Sequence, residues 1–356
     1  METKISQAID SLRFWMAGAI VMLHCFDPKY HVGGGNFSGL DICGIVNVLF
    51  SQGICRTAVP AFFLISGYLF FSQLKQWNHG IWIGKIKKRI KTLLVPYLIW
   101  NIIAFGVYYL VQCVKLKGIE SLVACFQSKG GFHIFWDSNS GWMPMDFPLW
   151  FIRDLMAVAL FSPFIYLLIK NKVGGLVSIV IAIIIHLLCI WPITNGLSSA
   201  AILFFMMGAY LRLHGCDLLN VFKPVEILSY VLTTVLLIAV VYCWGRYRIN
   251  PYLHHSLQLF GTFATLTIAS RLCDSKIGKI GICYSKTSFW IFAIQSIYVI
   301  DVSKFAVSIL IQGDSHFIGI VHYFVSAAVA LIICLVSYFI FNKLTPAVTK
   351  ILCGSR

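Results

Sequence analysis

Apolar residues run along this chain in long blocks separated by short polar stretches. A bilayer core about 30 Å thick requires about 20 apolar residues per helix. Ten blocks approach that length: 12–27, 45–72, 92–114, 148–169, 173–191, 196–213, 225–245, 255–271, 288–311 and 317–341. The expected fold is all-α, a polytopic membrane helix bundle with about ten transmembrane helices. The blocks use more than half of the chain, so a single membrane domain over 1–356 is expected, with 342–356 as a short tail. Most connections are short. Little more than Lys170-Asn171-Lys172 separates the fourth and fifth blocks, which makes them antiparallel neighbours.

Composition agrees with the pattern. Apolar residues make up 59% of the chain and charged residues 12%, against roughly 25% charged in soluble domains. The net charge is +15, from 28 Lys plus Arg and 13 Asp plus Glu. In a soluble protein that excess would raise nucleic acid as a partner. Here the positive-inside rule accounts for it, and no nucleic acid is expected. The densest cluster, Lys85, Lys87, Lys88, Arg89 and Lys91, follows the second block. Lys276, Lys279 and Lys286 precede the ninth, and Lys343, Lys350 and Arg356 close the chain. The expectation is a plasma-membrane or inner-membrane protein with both termini cytoplasmic.

The first block carries Arg13 and His24, and Cys25-Phe26-Asp27 follows where a signal peptide would show small residues. It is expected to remain as the first span. Of twelve cysteines, Cys25, Cys55, Cys113, Cys189, Cys243 and Cys334 fall in spans and behave as small hydrophobes. Cys43 and Cys125 fall in outer segments, where a disulfide is open to them. No Cys/His spacing fits zinc, so no metal is expected.

One connection is long. The outer loop 115–147 contains Gly130, Gly131, Trp136, Asp137, Asn139, Gly141, Trp142 and Asp146. Loops of this length are uncommon unless they bind something or are disordered, and the aromatic content argues against disorder. Aromatic rings with interspersed Asp and Asn suit a sugar, the rings stacking on C–H faces and the polar groups holding hydroxyls. An interfacial aromatic belt is the other reading. The two halves share no repeated pattern, which tips away from a secondary transporter.

Ionisable groups inside spans are costly and usually face a cavity or a partner. Arg13 and His24 are eleven residues apart, three helical turns plus roughly 20°, so they share one face about 16 Å apart along the axis. A cation near the inner surface and an imidazole in the outer half suit a long anionic donor. A neutral imidazole can take a proton from a hydroxyl or accept an acyl group itself. Alternatively, His24 bonds a neighbouring helix and Arg13 snorkels. Arg56 lies four residues before Pro60, at a depth comparable with His24. Its guanidinium could stabilise an oxyanion or pair with Asp154 or Asp41. Asp154 could orient a histidine, as the acid of a triad does, or neutralise Arg153. Asp301 and Lys304 are spaced to pair with each other.

Four motifs recur in order. They are Ile9-Asp10-Ser11-Leu12-Arg13 with His24; Arg56 with Val59-Pro60-Ala61-Phe62-Phe63 and Ser66-Gly67-Tyr68-Leu69; Lys87-Lys88-Arg89-Ile90-Lys91 with Pro96-Tyr97; and Leu149-Trp150-Phe151 with Asp154. Together they resemble the acyltransferase family 3 membrane O-acyltransferases over the whole ten-span domain. The resemblance implies transfer of an acyl group, often acetyl, from acyl-coenzyme A to a hydroxyl of a polysaccharide or lipid-linked sugar. It implies a catalytic His24, with Arg13 guiding the donor and Arg56 stabilising charge, while Lys88, Arg89 and Lys91 attract the donor's phosphates. Trp136, Asp137, Trp142 and Trp150 are candidate acceptor contacts, as is Gln295. That glutamine stands in Ser288-Phe289-Trp290-Ile291-Phe292-Ala293-Ile294-Gln295, where family members often carry His. The rival readings are a glycan exporter or flippase and a non-enzymatic membrane domain, neither of which needs a thioester donor.

Overall fold

The computed structural model describes residues 2–26, 41–72, 77–115, 119–138, 142–192, 194–245, 248–313 and 315–354. The ten apolar blocks are helical. We label them α1 (Glu2–His24), α2 (Ile42–Phe70), α3 (His79–Val114), α4 (Phe147–Leu160 with Ser162–Ile169), α5 (Lys172–Leu187), α6 (Ser199–Leu213), α7 (Lys223–Tyr242), α8 (Asn250–Leu272), α9 (Ser285–Leu310) and α10 (His316–Leu344). There is no strand among the described residues. The protein is an all-α membrane helix bundle.

The ten segments are not equivalent. Five of them, α2, α3, α7, α9 and α10, are long and apolar enough to cross a membrane, and α4 makes a sixth if it is one bent span. It bends by 63° at Phe161, where Pro163 lacks an N–H and its ring crowds the carbonyl four residues earlier. Helices α5 and α6 are apolar but only 16 and 15 residues long. Helices α1 and α8 have 23 residues each but are more polar. Asp10, Arg13 and His24 on α1, and His254, His255 and Gln258 on α8, account for much of that.

Two glycines set the closest helix contact. A Cβ on Gly208 of α6 would lie 1.9 Å from the Leu64 carbonyl oxygen of α2, and one on Gly67 would lie 2.0 Å from that of Phe205. Backbone therefore packs on backbone, as small residues permit between membrane helices. Around this crossing Phe63, Leu64, Phe204 and Phe205 are wholly buried.

The segment expected as an outer loop carries two helices, Ile119–Lys129 and His133–Trp136. After α3, a helix Ile119–Lys129 runs back along it, with Lys129 over the Tyr108 ring and Phe126 against Phe105 and Tyr109. The short helix His133–Trp136 then reaches the middle of α3, where the Tyr97 hydroxyl donates to the Phe135 carbonyl. From Tyr108 to Tyr97 is about 16 Å along the axis. Arg153 of α4 ties this segment to the bundle, donating to the carbonyls of Trp136 (2.7 Å) and Trp142 (3.0 Å). A buried guanidinium needs such acceptors. The tail is also docked. Trp100 Nε1 donates to the Leu352 carbonyl (3.0 Å), and Gly354, at φ +72°, lies against the Thr92 backbone.

Candidate active site

Helix α1 connects two polar centres. At the first, Arg13 is paired with Asp10 at 2.7 Å. Both line a cavity of 590 Å³ together with Lys85, Lys88, Arg89 and Lys286. Five cations thus face one carboxylate. Lys85, Lys88 and Arg89 share a face because they are three and four residues apart on one helix. Lys85 and Arg89 both stand 5.4 Å from the centre of the Phe70 ring, which carries their apolar stems. Lys91 is exposed and does not line the cavity.

Phe62, Phe151 and Phe292 also line this cavity. The Phe151 ring centre is 5.5 Å from that of Phe62 and 5.6 Å from that of Phe292. On each helix the phenylalanine sits between the two centres in sequence: Arg56, Phe62, Phe70 on α2; Phe147, Phe151, Leu155 on α4; Gln295, Phe292, Lys286 on α9. Three phenyl rings therefore line the basic cavity on helices that also carry residues of the His24 centre.

The second centre surrounds His24. Its ring meets Phe147 edge-on at 4.7 Å, and its Nδ1 is buried without a hydrogen-bond partner. The Gln295 carboxamide lies beside it, and the charges acting on the ring are Arg56 and Lys304. Arg56 sits on a tight turn, Ile54–Thr57, after a π-helical turn, Val48–Gly53. Pro60, having no N–H, leaves the Arg56 carbonyl without its helical donor. The guanidinium donates to Gln52 Oε1 from Nε (2.8 Å) and Nη2 (2.5 Å). No carboxylate pairs with it among the described residues. Asp41 accepts from the Gly44 N–H and pairs with His316. Asp154 is held at Oδ1 by Arg153 (3.1 Å) and at Oδ2 by the Ser198 N–H (3.1 Å). Its carboxylate is engaged there rather than at His24. Lys304 does not pair with Asp301 as its spacing suggested; it donates to the Phe26 carbonyl at 2.9 Å.

The aromatic candidates are dispersed. Trp136 is half-buried under the Arg153 guanidinium, 5.2 Å away, with Gly196 against its edge. Asp137 is bonded to His133 at 2.7 Å. Trp142 is exposed, and Trp150 packs on Phe63. The structure does not gather these four around His24. Asn139, Gly141 and the Cys125 side chain lie outside the described residues.

Several contributors carried other meanings in the sequence. Lys85 and Lys286 read as topology signals and Lys304 as half of an ion pair. Asp146 read as a loop residue, yet it is buried 99% with Oδ2 unpartnered, while Oδ1 accepts from the Ser296 hydroxyl and its N–H donates to Asn101. Asp146 precedes Phe147 and Ser296 follows Gln295, so this bond closes the wall around His24. Among the described residues no cluster of His, Cys, Asp or Glu could hold a metal.

A basic cavity and a half-buried histidine on one helix of a membrane bundle define a class. Residues 6–339 match the acyltransferase family 3 model, described as an acyltransferase domain, and the chain belongs to that family. It is similar to the succinoglycan biosynthesis protein ExoH of Rhizobium meliloti (strain 1021), at 28% identity over 374 residues, spanning 100% of this chain and 94% of that protein. No solved structure matches the chain.

Proposed function

We propose that this acyltransferase moves an acyl group, acetyl foremost, from acyl-coenzyme A to a hydroxyl of a cell-surface polysaccharide or lipid-linked sugar. The donor's phosphates bind Arg13, Lys85, Lys88, Arg89 and Lys286 from the cytoplasmic side, where both termini also lie. Its thioester arm runs along α1 past Phe62, Phe151 and Phe292 to His24. There the imidazole takes the proton of the acceptor hydroxyl as that oxygen attacks the thioester carbon. Arg56 and Lys304 stabilise the resulting oxyanion. The C–S bond then breaks, and the imidazolium returns its proton to the departing thiolate.

The observation that carries this reading is the pairing, along one helix, of a five-cation cavity with a half-buried histidine, its Nδ1 enclosed, beside two cations that no carboxylate pairs with among the described residues. Polysaccharide as acceptor is supported by the relative's name, which places that protein in succinoglycan biosynthesis. The test is transfer of label from [14C]acetyl-coenzyme A to the host's de-O-acylated surface glycan in membranes with and without the protein. Label in the glycan only with the protein is expected. Glycan export that depends on the protein without label transfer would favour an exporter.

A further inference from the structure

Two buried polar atoms face a common problem beside His24. Nδ1 of its imidazole has no hydrogen-bond partner, and neither has Oε1 of Gln295, whose side chain acts on the ring. Buried polar groups are nearly always bonded, so each such atom calls for an explanation. Gln295 is fully buried, and its amide nitrogen is already committed to the Phe292 carbonyl at 3.2 Å. Its oxygen is therefore the atom left to serve the ring.

The backbone around Gln295 is arranged to hold it there. Helix α9 breaks at Gln295–Val299, where Ile297 has ψ 67° and Tyr298 has φ +59°. A tyrosine in the left-handed region costs on the order of 1–3 kcal/mol and persists only where the surroundings enforce it. Here the enforcing contact is the Ser296 hydroxyl on the buried Asp146 carboxylate, itself fixed through its N–H by Asn101.

We propose that Gln295 is the positioning residue of His24. In the working enzyme these two unpartnered atoms join: Oε1 accepts the Nδ1–H, which fixes the tautomer and leaves Nε2 with the lone pair that removes the acceptor's proton. The inference rests on His24 being the base of the proposed reaction. It differs from a substrate-binding role for Gln295, because Gln295 then acts through the imidazole. The charged groups facing the ring are Arg56 from α2 and Lys304 from α9. Beside them, Asp146 ahead of α4 is bound to Ser296, and the Tyr323 hydroxyl of α10 donates to the Met22 carbonyl on α1.

The experiment compares Gln295→Leu, Gln295→Glu and His24→Ala in membranes, with acetyl-coenzyme A as donor, the de-O-acylated glycan as acceptor, and acetyl-coenzyme A affinity as the check of folding. Leu keeps the volume but offers no acceptor, so kcat is expected to fall by about two decades with donor affinity unchanged. Glu keeps the acceptor and is held ionised by Arg56 and Lys304. It therefore restores turnover above the Leu variant and moves the acid limb of kcat/KM about one unit or more to higher pH, since a carboxylate favours the protonated ring. A Leu variant with wild-type kcat, or a Glu variant whose acid limb does not move, overturns the inference. Activity in His24→Ala instead overturns the underlying reading.

Discussion

Arg89 offers a sharp test of the donor cavity, because Lys91 two residues later is a built-in control. The Arg89 side chain is half-buried over Phe70 and lines the cavity, whereas Lys91 is exposed and does not. A hydrogen bond from a charged donor to phosphate contributes roughly 1.5–3 kcal/mol, reduced to about 1–2 where solvent screens the pair. Arg89→Gln should therefore weaken acetyl-coenzyme A binding about fivefold to thirtyfold. Adding Lys88→Gln, at an exposed position and with three cations still present, should deepen the loss by about threefold. Lys91→Gln should leave binding within about twofold. Isothermal titration of the detergent-solubilised protein reads all three, at about 20 mM and about 150 mM salt, with the differences shrinking at the higher salt. Equal losses from Arg89→Gln and Lys91→Gln would mean that the cluster attracts the donor only as diffuse charge, or sets topology alone, and the cavity would lose its role.

Two other regions give expectations of different kinds. Asp146→Ala removes the acceptor of the Ser296 hydroxyl and leaves a buried donor unpaired, at a cost of about 1–3 kcal/mol; glycan acyl content should fall tenfold or more, Asp146→Asn should keep most of it, and a wild-type level in the Ala variant would detach Asp146 from the His24 wall. Gly208→Ala would place its Cβ 1.9 Å from a backbone oxygen and force α2 from α6, so the melting temperature in detergent should drop by several degrees. Gly18→Ala meets nothing within 4 Å and should leave it unchanged; equal melting temperatures for the two variants would contradict the close crossing.

Much of the fold was legible because hydrophobic blocks and helices in lipid obey one length rule. The ten blocks are helices, and the Ser66-Gly67-Tyr68 run marks a real backbone contact. The rule does not see what packing does to short or polar helices, so α1, α5, α6 and α8 fall below the threshold for a clear span. Nor does it see how a connection is tied to the helices around it. Phe135, Trp136 and Asp146 are held by Tyr97, Arg153 and Asn101, all outside that connection. Within the site, the shared face of Arg13 and His24 follows from helical spacing alone, as does the face of Lys85, Lys88 and Arg89. The carboxylate of Asp146 beside Ser296 could not be read, since 150 residues separate them. Asp154 looked like the triad acid from its place in a span, and only the Ser198 and Arg153 bonds show where its charge is used.

The central claim is that His24 handles the proton of the acceptor hydroxyl. Its most direct measurement is the acyl content of the surface glycan from cells carrying His24→Ala or His24→Gln, with protein level checked by blot. Loss of a general base costs about two to four decades of rate. Gln keeps much of the shape and some hydrogen bonding but takes up no proton, so the account predicts glycan without detectable acylation in both variants at normal protein level. Near-normal acylation in the Gln variant would show that His24 serves packing and hydrogen bonding alone, and would remove it from the chemistry.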